Sequence, residues 1–219
     1  MKKLILIGSG FHSKIVYDEI LRQKKYKVLG YVSNDIKKNH KIKKLKYLGK
    51  IKDLKKLESK SFFCIIAIGQ GDIREKILKE INKLNIKMKW EKIISKDAII
   101  SSNTKIGEGS VIISGSIINV GTKIGNHCLI NTGSSIDHDN CFEDFSGCGP
   151  RTITGGNVNI GKRSYIGLGS VIKNNIKIQD NTVIGASSLV IRNCKKNSIY
   201  FGAPAKRIRE KKKDENYLS

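Results

Sequence analysis

From Ile94 to Val190 one inward-type position returns every six residues without a slip. It runs through Ile94, Ile100, Ile106, Ile112, Ile118, Ile124, Ile130, Ile136, Phe142, Cys148, Thr154, Ile160, Ile166, Ile172, Ile178, Ile184 and Val190. A small or β-branched residue usually follows at the fourth position, as at Ser110, Ser116, Thr122, Ser134, Ser164, Ser170 and Ser188, and glycine often follows directly, as at Gly107, Gly125, Gly161, Gly167 and Gly185. A period of six matches neither the 3.6 of a helix nor the alternation of an ordinary strand. It predicts a hexapeptide-repeat parallel β-helix. Three hexads make one coil of a triangular prism, with the isoleucines stacked along its dry axis. At about 4.8 Å per stacked strand, such a prism stands roughly 25–30 Å tall.

Residues 1 to about 92 carry a different pattern. Lys3–Ile7 reads as a buried strand that runs into Gly8, Ser9 and Gly10, and a helix is expected from Ser13 to Arg22 with Ile15, Val16, Ile20 and Leu21 inward. Val28–Val32 reads as a second strand, a basic linker spans 34–46, and a short strand-and-helix pattern follows around Tyr47–Leu57. Phe62–Ile68 reads as a long apolar strand ending at Gly69, and Asp72 is the expected cap of a helix with Ile73, Ile77, Leu78, Ile81 and Leu84 inward. The alternation implies a parallel, Rossmann-like α/β unit. A glycine turn between strand and helix can cradle a phosphate on backbone N–H groups. Here the third glycine of the dinucleotide fingerprint is missing, so a phosphate cradle and a structural tight turn both stand. Ligands of such sheets sit at the carboxyl ends of the strands, which puts Ser33, Asn34 and Gly69 on the same crevice.

Composition narrows the partners. The net charge is +23, and residues 1–92 hold 25 Lys/Arg against 9 Asp/Glu. Such a balance suggests nucleic acid or an anionic surface. The lysines, however, are scattered and not interleaved with aromatics, so neither nucleic acid nor a membrane is expected as a partner. Cys64, Cys128, Cys141, Cys148 and Cys194 are odd in number and form no CxxC pair. They read as reduced, packed thiols of a cytoplasmic protein, and no metal site is expected. The opening Met-Lys-Lys-Leu-Ile-Leu-Ile resembles a signal peptide, but its apolar run stops at Gly8 with no cleavage site after it. No stretch reaches the length of a membrane span.

Within the repeat, the segment from Asn131 to Cys141 holds His138 between Asp137 and Asp139, two positions after inward Ile136. A side chain there projects outward near a corner, and Gly156, one coil later, leaves space beside the ring. Flanking carboxylates orient an imidazole and raise its basicity, which suits a general base. A surface histidine at a turn is the other reading of the same spacing.

These motifs, taken in order with Gly-Gly-Asn-Val at 155–158 and Gly-Ala-Pro-Ala-Lys at 202–206, resemble the nucleotide-sugar and sialic acid acetyltransferases. The bacterial N-acetyltransferases of UDP-, dTDP- or GDP-linked 4-amino-4,6-dideoxyhexoses are the most similar members. The resemblance covers essentially the whole chain. It implies a left-handed β-helix at 93–195, a nucleotide-sugar-binding α/β domain at 1–92 set at the end of the prism, and a capping tail at 196–219. His138 would be the general base and Asp139 the carboxylate that tunes it. Asn131 would lie near the acceptor sugar, while Gly10, Phe11, His12, Ser33, Asn34 and Gly69 would hold the nucleotide. Gly156, Leu168 and Ala186 would line acetyl-CoA, and Gly147 stands where many members place a histidine that contacts that co-substrate. A homotrimer is implied, with each site between two prisms. Outward apolar residues Ile113, Ile117 and Val171 fit such contacts. The implied activity is N-acetylation of a nucleotide-linked amino sugar. O-acetylation of sialic acid or a related sugar, and a non-catalytic trimeric scaffold, are the alternatives.

Overall fold

The computed structural model describes residues 1–35, 42, 45–57, 61–212 and 215–218. The first unit runs β1 (Lys2–Ile7), α1 (Phe11–Gln23), β2 (Tyr26–Val32), β3 (Tyr47–Gly49), a 3-10 helix (Ile51–Leu57), β4 (Phe63–Ile66), α2 (Gly71–Lys83) and β5 (Lys89–Trp90). Its strands form one parallel sheet in the order β3-β2-β1-β4-β5. Leu4, Ile5, Leu6 and Ile7 are fully buried, as a central parallel strand covered on both faces requires. The basic linker expected over 34–46 lies largely outside the described residues.

Two expectations for the helices need correction. The inward face of α1 is Ser13, Val16, Glu19 and Ile20, whereas Ile15 and Leu21 are exposed. Ser13 is drawn in because its hydroxyl donates to the carbonyl of Ala67 at 2.9 Å. At α2 the residue preceding the helix is Gln70, not Asp72. Asp72 lies in the first turn, accepts the N–H of Ile73 at 3.1 Å and faces the Lys211 ammonium at 3.6 Å. Ile73 is exposed, and the buried positions of α2 include Arg74 beside Ile77 and Ile81.

From Ile93–Ile94 to Leu189–Val190 the chain makes a two-residue strand every six residues, each ending on the repeated position. These strands stack into three parallel sheets, the faces of the prism, in the left-handed sense of the acetyltransferase β-helix. Ile112, Ile130, Cys148, Ile166 and Ile184 form one column of the interior, and Phe142, Cys148 and Thr154 are buried where the repeat put them. The small residue of each hexad does more than leave room. Ser110, Ser116, Thr122, Ser164 and Ser170 each donate a hydroxyl to the carbonyl fifteen residues on, at 2.7–3.0 Å. Each such bond pins a corner to the same corner of the next coil and keeps that hydroxyl from being stranded in the dry core.

The sheet packs along the flank of the first coils, not at the end of the prism. Leu4, Leu6, Val16 and Ile20 share one core with Ile93, Val111, Ile113 and Leu129. Ile113 is therefore covered by the chain's own α/β unit, against the expectation of an outward contact. Arg74 joins the two units. Its guanidinium donates to the carbonyls of Ile68 and Gly69 on one side and of His127, Phe145 and Ser146 on the other, at 2.5–3.0 Å. His127 is packed edge-on to Trp90 and stacked on Phe145.

After the last full coil, Ser198–Phe201 pairs with Val183–Ile184 and turns into an antiparallel strand, Lys206–Glu210. The expected capping tail thus begins as a hairpin. Beyond it, Glu215–Leu218 return to α2: Gln70 donates to the Glu215 carbonyl at 2.8 Å, and the Gly71 N–H donates to the Tyr217 hydroxyl at 3.1 Å.

Candidate active site

His138 sits on the edge between the second and third faces of the prism, at the turn that follows Ile136. Its side chain is half-exposed, and Nδ1 meets Asp139 Oδ2 at 2.9 Å. The hydrogen bond to Asp139 holds the imidazole above its ordinary range, and the charge of Asp137 adds to it. Asp137 does not touch the ring. Its Oδ1 accepts the His138 backbone N–H at 2.8 Å and the Asn119 amide at 3.1 Å, which keep this carboxyl below its usual range. With Nδ1–H donated to Asp139, the free lone pair belongs to Nε2.

Gly156 does not leave the space beside the ring empty, as the spacing suggested. The imidazole itself fills it, because a Cβ at 156 would collide with Cε1 and Nε2. On the other side Asp139, at φ 55°, lies over Gly121, where a Cβ would strike its Oδ1. Two glycines one coil to either side thus form the bed for the pair. Asn140 lies under the turn with 1 % of its surface exposed, and its amide reaches the carbonyls of Asp137, His138 and Gly155. Neither Asn119, Gly121 nor Asn140 was singled out by sequence. The available signal was the eighteen-residue offset for Gly121 and the break in the column of small residues at Asn140.

The other expected residues fall into separate groups. Leu168 and Ala186 stack on the edge between the first and second faces and line a cavity of about 530 Å³ with Tyr165, Phe201, Arg209 and Tyr217. Asn131 lies near the start of the same edge, two coils back, with its Oδ1 accepting the Thr132 N–H at 2.8 Å. Gly147 is on the first face, between the strands of Leu129 and Tyr165, and a Cβ there would stand 2.8 Å from the Leu129 carbonyl. One chain therefore does not bring His138 and Gly156 to the same edge as Leu168 and Ala186. The second face lies between them, and it carries exposed Ile99, Ile117, Ile153, Val171 and Leu189.

In the α/β unit the crevice residues do converge. Gly8, at φ 119°, is packed against Ile68, and its N–H donates to the Val32 carbonyl at 2.9 Å. Gly10 precedes α1 with nothing within 4 Å of where a Cβ would be, so the approach to the helix N-terminus is open. Phe11 is exposed. His12 is held down at about 4 by burial and by the Arg74 cation. Ser9 and Ser33 share a hydrogen bond of 3.1 Å, and both hydroxyls contact the Asp35 carbonyl at 2.8 Å. Asn34 is engaged by Glu80 and by the Ile51 N–H, and Gly69 lies under Leu218 of the tail. An anionic group fits the open helix N-terminus at Gly10. No group of acidic, histidine and cysteine side chains suited to a metal ion occurs among the described residues, and no helix there is long and apolar enough to cross a membrane.

Residues 3–81 match the PglD N-terminal domain. The whole chain is similar to PerB from Caulobacter crescentus, solved in complex with CoA and GDP-perosamine, with a TM-score of 0.88 and 25 % identity over 95 % of this chain and 98 % of that one. It is also similar to the acetyltransferase domain of PglB from Neisseria gonorrhoeae in complex with acetyl coenzyme A, with a TM-score of 0.85 and 25 % identity over 94 % and 99 %. WeeI from Acinetobacter baumannii shares the fold, at a TM-score of 0.76 and 21 % identity. A Rossmann-like unit fused to a left-handed β-helix with these likenesses defines an acetyltransferase. Over nearly its whole length the chain is similar to nucleotide-sugar acetyltransferases, and residues 3–81 carry the matching N-terminal domain.

Proposed function

We propose that the chain transfers the acetyl group of acetyl-CoA to the 4-amino group of a nucleotide-linked 4-amino-4,6-dideoxyhexose, with His138 as general base. The observation that carries this reading is the His138–Asp139 pair, seated between Gly121 and Gly156 with Nδ1 turned to the carboxylate. An ammonium group has no lone pair, so the sugar amine must lose a proton before or while it attacks. The ammonium first gives one proton to solvent, and His138 Nε2 takes a second from the neutral amine as its nitrogen bonds to the thioester carbonyl carbon. Asp139 holds the ring by Nδ1 and stabilises the imidazolium. The C–S bond then breaks, and the thiolate is protonated by the imidazolium or by water. The complexes of PerB with CoA and GDP-perosamine and of PglB with acetyl coenzyme A support this choice of co-substrate and acceptor.

In this reading the nucleotide occupies the crevice of Gly10, Phe11, His12, Ser33, Asn34 and Gly69. Acetyl-CoA runs past Leu168 and Ala186, while Asn131 faces the acceptor sugar. The working unit is a homotrimer of a cytoplasmic enzyme. Pairing of the second faces would cover Ile99, Ile117, Ile153, Val171 and Leu189 and set the His138 edge of one chain beside the Leu168 edge of the next. Light scattering at micromolar concentration should give three times the mass of the chain, and a monomer would remove the shared site. Thiol release from acetyl-CoA should be stimulated by GDP-perosamine or by its UDP- or dTDP-linked 4-amino counterparts. Release with a sialic acid acceptor and none with these amines would reassign the chain to O-acetylation.

A further inference from the structure

Among the corner residues that follow each inward position by four, an amide stands at Asn140, directly beneath the turn that carries His138. At equivalent corners a Ser or Thr hydroxyl donates to one carbonyl, fifteen residues on. Asn140 keeps that bond, to Gly155 O at 3.0 Å, and its amide also reaches Asp137 O at 2.7 Å and His138 O at 3.1 Å, three carbonyls where the hydroxyls of Thr152 and Thr182 reach two. One amide group thus holds the two residues of the turn and the glycine next to the bed of the imidazole.

We infer that Asn140 is a positioning residue for His138, retained at this corner for the reaction and not for the fold. The other bonds of the network separate the two roles. Asp137 O also accepts the Thr122 hydroxyl at 2.8 Å, and His138 O also accepts the Asn157 N–H at 3.0 Å. Removing the amide strands neither carbonyl. The Asn140 Oδ1, by contrast, is buried and has no hydrogen-bond partner among the described residues. A buried, unpartnered acceptor costs stability. Threonine, found one coil earlier at Thr122, or serine, common at this hexad position on the other corners, would restore the single hydroxyl bond to Gly155 O and remove that orphan. The fold therefore gains nothing from asparagine here, and the rigidity of the His138 turn does.

The inference rests on His138 being the base. The charged groups that face this imidazole are Asp137 and Asp139 of its own turn, while the adjoining coils present Val120, Gly121 and Gly156. The test pairs Asn140→Ser and Asn140→Thr with His138→Asn in the full-length protein. Both Asn140 variants should fold with an unchanged or higher Tm. With GDP-perosamine or its UDP- or dTDP-linked counterparts, kcat should fall about tenfold at an unchanged KM for acetyl-CoA. The His138 imidazole, titrated by nitrogen-15 NMR without any substrate, should move down toward its ordinary pKa, because the turn that aligns Asp139 is loosened. A Tm loss with an unmoved titration and unmoved kcat would make Asn140 structural and overturn the inference. Wild-type kcat in His138→Asn would overturn the general-base reading instead, and the NMR titration would still decide whether Asn140 orders the turn.

Discussion

At position 156 a single methyl group collides with the imidazole it would have to share space with. Gly156→Ala should therefore push His138 off its bed and lower kcat by tenfold or more with the prism intact, as circular dichroism would show. His138→Ala should lower kcat by about 10²–10⁴-fold while acetyl-CoA binding survives, the range for losing a positioned base. Asp139→Asn should cost less. Because the bond to Asp139 holds the His138 pKa up, its loss should shift the acidic limb of the pH–rate profile to lower pH. An unmoved limb would mean that the carboxylate does not tune the ring. At this scale the sequence was informative about neighbours in the chain and silent about neighbours across it. His138 and Asp139 are adjacent, so their pairing was legible. The offset of eighteen found Gly156 but misjudged it, since spacing reveals a missing side chain and not what fills its place. Arg74 went unread because an arginine among apolar helix positions shows nothing of the five carbonyls that await it.

The elements follow from the repeat because every strand of the prism meets the same environment. A core isoleucine in the middle of the stack is replaceable only at a cost. Ile130→Ala leaves a hole between Ile112 and Cys148, and urea unfolding should register about 2–5 kcal/mol of destabilisation. The α/β unit was legible as an order of strands and helices, and less so as helix faces. Ile15 and Leu21 of α1 fit a 3.6 period and still face outward. The inward stripe of α1 was chosen by Ser13, which satisfies the Ala67 carbonyl, and by Glu19, which accepts the Ser114 hydroxyl at 2.6 Å from the prism. Polar partners in another element leave no trace in local periodicity. For the same reason the docking of the sheet along the prism's flank, which buries Ile113, was not foreseen.

At the scale of the molecule the two units meet over a histidine that must stay neutral. His127 is held at about 4 by burial and by the Arg74 cation, and its Nδ1 has no hydrogen-bond partner among the described residues. Its folded pKa lies below the unfolded value near 6.5, so the unfolded chain binds the extra proton. Stability should then fall as pH drops through 6.5 and level off below 4, by up to about 3 kcal/mol from this residue. His127→Asn, a residue that tolerates the positive φ of this site, should reduce the slope in that window in urea titrations at several pH values, leaving the part due to His12. An unchanged slope would place the acid sensitivity elsewhere. The tail has a consequence of another kind. A stack of coils in which each touches only its neighbours frays from its free end and loses cooperativity with length. Here Lys211 bonds to Asn197 and Asn181 near the last coil, while Tyr217 lies on Tyr165 and caps the N-terminus of α2. The terminal coil is thereby tied to the domain that grips the first ones, and a linear array behaves as a closed ring of contacts. A chain ended at Glu210 should melt in calorimetry over a broader range, with the last coils opening ahead of the rest.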